Sequence, residues 1–150
     1  MARYMILDLM GAVARARLHD EAAPLTCAAV WAHLPYEGQG GHALQSGTNA
    51  AFHFDPSIAL PVENATCHLQ KGDVVFIHYE PGTRHNHPRG VSEVVWCYDR
   101  YNLATTPGRL NPVLANVFAE LVGDYRAFAE MSLSLFTEGK KPIRVTTFED

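Results

Sequence analysis

The chain of 150 residues is long enough for one domain around a single core, and 47% hydrophobic with 19% charged residues is the balance of an ordinary globular chain. A formal charge of −4, with the basic residues scattered, argues against a nucleic-acid footprint, and there is no polybasic run or bilayer-length apolar stretch for a membrane. The three cysteines, Cys27, Cys67 and Cys97, are far apart, form no C-x-x-C and follow no secretory leader, so a reduced, cytoplasmic protein is expected.

Residues 3–9 and 13–19 both alternate in polarity, with Met10-Gly11-Ala12 between them, and read as a hairpin with one wet and one dry side. Pro24 is a favoured first helical position, and the apolar spacing after it predicts a short helix over 24–34, stopped before Pro35. Residues 36–47 (YEGQGGHALQSG) are rich in glycine and read as an ordered loop. Strands are expected over 48–54 and 65–69, with an irregular run over 57–64 between them.

Residues 74–79 and 91–98 are β-branched and aromatic runs flanking a turn-rich segment, a pair of antiparallel strands with a long loop. After an irregular run over 100–109, Asn111-Pro112 reads as a helix start. Leu114, Phe118, Leu121, Tyr125, Phe128, Ser132 and Leu135 then step by three or four, predicting a helix of roughly seven turns that stops at Gly139. Residues 142–148 read as a last strand. About seven strands with one short and one long helix imply a closed or nearly closed β-barrel of α+β type.

Three places carry candidate chemistry. The glycine loop presents His42 and Ser46, an acid/base group and a hydroxyl, between Gly41 and Gly47, where backbone can approach a ligand closely. No G-x-S-x-G elbow surrounds the serine, so an activated nucleophile is not expected. His53, His68 and His78 stand at alternating positions on separate strands and could face a barrel mouth together. Trp96 and Tyr98 share one strand face, either core or the wall of an aromatic pocket. Glu63 and Asn64, a carboxylate and an amide in an irregular run, can point into a cleft.

The loop after residue 79 holds Arg84, His85, His87 and Arg89. His85-x-His87 followed by Glu93 resembles the cupin signature, in which two histidines and a glutamate hold a divalent metal. The cupin glutamate follows its second histidine more closely than Glu93 follows His87, so the metal site is kept only as an alternative.

GHALQSG at 41–47, LPVENAT at 60–66 and KGDVVF at 71–76 occur in that order. The ordered set, with the first helix and the lead of Gly108, Leu110, Asn116 and Phe118 into the last one, resembles a bacterial and archaeal family of unknown function with a cyclophilin-like fold. That resemblance implies a small closed barrel of seven or eight mostly antiparallel strands capped by two helices, and it singles out the His42–Ser46 loop. The chain lacks the Phe-Met-x-Gln-Gly-Gly-Asp strand of the prolyl isomerases, so their activity is not expected.

The first reading is therefore a cytoplasmic single-domain protein that binds a small polar or amide-containing ligand beside the barrel. His42 and Ser46 would do any acid/base chemistry, and Gly41, Gly47, Glu63, Asn64, Trp96 and Tyr98 would contact the ligand. No cofactor is expected. A metal-dependent cupin-like enzyme using His85, His87 and Glu93 stays open. So does a non-catalytic binding or assembly module, with the long helix as the surface of a twofold homodimer.

Overall fold

The computed structural model describes residues 1–84, 86–105 and 111–150. His85, Gly108 and Leu110, named above, lie outside the described residues. The elements in chain order are β1 (Arg3–Leu9), β2 (Ala12–Leu18), α1 (Pro24–Ala32), β3 (Tyr36–His42), β4 (Gly47–Phe54), the two-residue strands β5 (Ala65–Thr66) and β6 (His68–Leu69), β7 (Asp73–Tyr79), β8 (Val91–Leu103), β9 (Ala115–Val122), α2 (Arg126–Glu138) and β10 (Lys141–Glu149). Pairing runs β2-β1-β10-β3-β4-β8-β7-β9, and β9 pairs back onto β2. Every pairing among them is antiparallel, so the main strands close an eight-stranded barrel with two helices, as the patterning predicts. Closure leaves the barrel without a free edge, and β5 and β6 only flank it.

Alternation along each strand sorts the side chains into two apolar clusters. Inside the barrel lie Met5, Leu7, Leu9, Phe52, Phe54, Phe76, Trp96 and Phe118. On the outer face of β4, β8 and β7 a second cluster forms from Ala51, Ile77, Tyr79, Val91, Val95 and Cys97. The helices pack at opposite ends of the interior. α1 places His33 against Phe54, and α2 places Phe128 against Trp96, which pairs with Ala50 further along β4. No helix among the described residues is long and apolar enough to cross a membrane.

Four elements differ from the sequence reading, two of them in kind and for a local reason. The glycine-rich stretch is not all loop, because Tyr36–His42 is strand β3, paired with β10 and at its end with β4. Its glycines leave room for aromatic neighbours. A Cβ at Gly38 would lie 2.2 Å from the Tyr36 hydroxyl oxygen, and one at Gly40 would lie 3.3 Å from the Trp96 ring. The long helix also divides, since residues 115–122 are strand β9 and only Arg126–Glu138 is helical. A β-bulge explains the misleading spacing. Val74 pairs with Ala119 while Val75 pairs with Val117, so Phe118 is an extra residue. Phe118 and Leu121 both reach the interior three positions apart, which mimics a helical step. Gly123, with φ +72°, then turns the chain before α2. The helical surface expected to carry a dimer therefore begins at Arg126. The strand expected over 91–98 also continues to Leu103, and α1 ends at Ala32.

All three cysteines are free, with Cys27 and Cys97 buried and Cys67 half-buried. Burial pushes the Cys27 thiol up to about 12 and raises that of Cys97 as well. Iodoacetamide at about pH 8 is expected to alkylate Cys67 first and to spare Cys27 and Cys97 until denaturant is added. Peptide mass spectrometry reads the difference, and rapid native labelling of Cys27 would contradict its placement.

Candidate functional site

A cleft of about 590 Å³ opens on the outer face of β4, β8 and β7, within the range of small-molecule sites. Its floor is the second apolar cluster, with Ala51, Leu69, Ile77 and Val95 among the lining residues. One end is built by the 43–46 turn together with α2, the other by the start of β8 and Arg84.

The turn is held by Asn49. The Ala43 N–H donates to the Asn49 carbonyl at 3.0 Å, Ser46 Oγ donates to Asn49 Oδ1 at 3.2 Å, and Asn49 Nδ2 donates to the Ser46 carbonyl at 3.0 Å. Asn49 Nδ2 also donates to Asn102 Oδ1 at 2.9 Å, which ties the turn to β8. Asn49 is buried, so these bonds are required as well as available. Gly47 takes φ +113° where β8 bulges: it pairs with Asn102 while Asn49 pairs with Cys97.

His42 stands beside this turn, between Tyr98 and the exposed ring of Phe136, whose centroids lie 5.6 and 5.1 Å from its own. Its Nδ1 is 2.6 Å from the Ala43 carbonyl, which can only accept, so Nδ1 carries the proton. Nε2 then accepts from the Tyr98 hydroxyl at 2.6 Å. Burial, with Asp99 nearby, raises the Tyr98 pKa and keeps that hydroxyl protonated. The two contacts fix the orientation of the His42 ring and place the Tyr98 hydroxyl at its back.

At the far end, adjacent strands place His53 and Glu93 side by side. Glu93 Oε1 accepts from Arg84 Nη1 at 2.6 Å, while Oε2 lies 3.7 Å from His53 Nε2, too far for a hydrogen bond. Arg84 also lies over the Tyr79 ring at 5.3 Å. Burial raises the Tyr79 pKa, so its hydroxyl is a neutral group.

Of the residues expected at a site, Gly41, His42, Ser46 and Glu93 line this cleft. Tyr98 supports it from inside the barrel through His42. Trp96 does not reach it: even positions on this part of β8 face inward, and its Nε1 donates to Ser132 Oγ at 2.9 Å in the interior. Glu63 and Asn64 lie elsewhere and hold the fold. Glu63 Oε1 accepts from the Thr26 N–H at 2.6 Å in the first turn of α1, where a carboxylate is favoured. Asn64 Nδ2 donates to the Val117 carbonyl at 2.8 Å. Gly47 shapes the turn without lining the cleft.

His87 Nδ1 is 2.9 Å from Asp55 Oδ2, so it and Glu93 are engaged with different partners. Among the described residues no three His, Cys, Asp or Glu side chains gather as metal ligands. Of the three histidines expected to face a barrel mouth together, His53 lines this external cleft, His78 is on β7 beside Ser92, and His68 on β6 pairs with Leu103. Sequence reasoning missed Asn49, Arg84 as a cleft residue, and Lys140. No periodic signal marks any of them, because Asn49 on β4, Arg84 between β7 and β8, and Lys140 just before β10 come together only in the closed sheet.

A closed antiparallel barrel with two helices and an external polar-ended cleft is the class that this geometry defines. The chain belongs to a family of proteins of unknown function, DUF3830, which matches residues 5–147. No curated protein matches it. Among solved structures, it is similar to McbB in complex with tryptophan, with a TM-score of 0.65 and 20% identity over 95% of this chain and 44% of that one. It is also similar to the hypothetical protein AF2241 from Archaeoglobus fulgidus, with a TM-score of 0.56 and 17% identity over 97% of this chain and 93% of that one. The chain thus spans less than half the length of McbB, and at these identities both likenesses concern the fold alone.

Proposed function

We propose that this cyclophilin-like barrel is a cytoplasmic protein that binds a small polar or amide-containing ligand in the cleft between the 43–46 turn and Arg84. The carrying observation is that one concave surface brings His42 and Ser46 together with His53, Glu93 and Arg84 over an apolar floor. Such a combination of apolar lining and few convergent polar groups is typical of small-molecule sites. Acid/base capacity is present at both ends. His42 places an imidazole at one end, oriented by the Tyr98 hydroxyl. His53 places an imidazole at the other end, with Nε2 3.7 Å from Glu93 Oε2.

A thermal-shift screen tests the reading, with cyclic amides, ureides, small acids and amino acids as compounds. Tryptophan belongs among them because McbB was solved with it. At least one compound is expected to raise the melting temperature of the wild type by several degrees, and His42→Ala is expected to remove most of that shift. A ligand that stabilises both proteins equally would place binding away from the cleft.

A further inference from the structure

The two ends of the cleft differ in charge, and this difference carries an inference about what the ligand is. It rests on the reading of the cleft as a ligand site. Lys140 and Arg84 line the cleft against Glu93 as the one acid among the described lining residues, in a chain whose net charge is −4. These charges are not spread evenly.

At the 43–46 end the cation is unopposed. The Lys140 side chain lies over Gly41, where its carbons would be 3.4–3.9 Å from a Cβ built on that glycine. Among the described residues Lys140 pairs with no carboxylate. Glu138, its neighbour in sequence, is held 2.9 Å from Lys141 Nζ. Gln45 lines the same end with a side-chain amide that can donate, while the Ser46 hydroxyl is spent on Asn49. An unopposed cation with a neutral amide donor at the same end is an environment for an anion such as a carboxylate.

The far end is neutral but bipolar. Arg84 spends one N–H on Glu93 and keeps further donors, and Glu93 Oε2 makes no hydrogen bond to His53 at 3.7 Å. A free guanidinium donor beside a free carboxylate acceptor is matched by a group with one acceptor and one donor side by side, which is an amide. A second carboxylate would meet Glu93, and an ammonium would meet Arg84.

The geometry points to an amide-bearing small carboxylic acid as the ligand, its acid at Lys140 and its amide between Arg84 and Glu93. Gly41, beneath Lys140, and Glu93 lie on β3 and β8 on either side of β4, level with Ala51 and His53. The ends are therefore separated by about 7 Å along the strands and about 10 Å across them, or about 12 Å in all. An extended eight-carbon chain, about 9 Å between its end carbons at about 1.5 Å per bond, spans that distance together with the hydrogen bonds at its two ends, and the apolar floor receives its methylenes.

Suberamate, the monoamide of suberic acid, is the probe, with suberamide, octanoate and suberate as controls in isothermal titration calorimetry. Wild type is expected to bind suberamate at least tenfold more tightly than each control. Lys140→Gln, on an exposed side chain, is expected to cost suberamate about tenfold and to leave neutral suberamide unchanged. Glu93→Ala frees Arg84 and is expected to reverse the order of suberamate and suberate. Equal affinities for all four probes, or an order that neither variant changes, would overturn the assignment. If none of the four binds while another screened compound does so in a His42-dependent way, the acid–amide assignment fails and the cleft reading survives. If no screened compound binds at the cleft, both fail.

Discussion

Replacing Trp96 by alanine is expected to lower the stability of the barrel by about 3–5 kcal/mol, the usual cost of truncating a large buried aromatic. Trp96 is fully buried, and its ring lies between Phe52 of β4 and Phe128 of α2, with centroids 6.4 and 5.5 Å away. Its Nε1–H is also a buried polar tie between the barrel and α2, through Ser132. The alanine variant loses the volume and the tie together, so α2 should loosen over the barrel end. Because α2 supplies Phe136 to the cleft, ligand stabilisation should fall as well. Trp96→Phe keeps most of the volume and gives up the hydrogen bond, worth about 1 kcal/mol with some repacking added. Urea denaturation of the three proteins reads both effects. An alanine variant within about 1 kcal/mol of wild type would mean that Trp96 is not the buried centre described above.

The second large effect is expected at Gly47. A Cβ there would lie 1.8 Å from the Tyr101 carbonyl oxygen, and φ of +113° is strained for any residue with a side chain. Gly47→Ala must push β4 away from the β8 bulge or unwind the 43–46 turn, and a cost of about 2–4 kcal/mol is expected. The displaced atoms are those that hold Asn49, Asn102 and Ser46 together, so the cleft should lose ligand stabilisation even where the barrel stays folded. Asn49→Ala separates the two consequences. It removes the side chain that pins the turn and leaves the Gly47 backbone unstrained. If Gly47→Ala binds ligand like the wild type, the turn does not shape the site.

The barrel was legible where alternation is regular. β1, β2 and β10 alternate and bury one face, whereas β4 and β7 are buried on both faces over 49–52 and 74–77 and were legible as short runs bounded by turn residues. It was hidden where tertiary structure overrides local pattern. Gly38 and Gly40 read as loop because the aromatic rings that fill their space come from residue 36 on the same strand and residue 96 on another. Phe118 and Leu121 read as helix because one bulge changes a period of two into a step of three. The same logic governs the site. His42 and Ser46 were visible because glycines frame them. Trp96 was misplaced because sequence gives which residues share a face but not which face is inside. Glu63 and Asn64 read as ligand contacts, yet their polar groups satisfy the start of α1 and the edge of β9. Arg84 and Lys140 join the cleft only through strand pairing, which a single sequence does not display.

An NMR titration of uniformly ¹⁵N-labelled protein with the strongest compound from the thermal-shift screen tests the cleft assignment most directly. Amide shift changes are predicted at residues 41–51, 77–79 and 93–95 and at 135–140, which surround the cleft. A second cleft shares Tyr98 with this site through His42, but its other lining residues Lys71, Gly123, Asp124 and Glu130 serve as an internal control and should stay silent. Changes centred on that second cleft, with His42, Ser46 and Glu93 unmoved, would contradict the assignment.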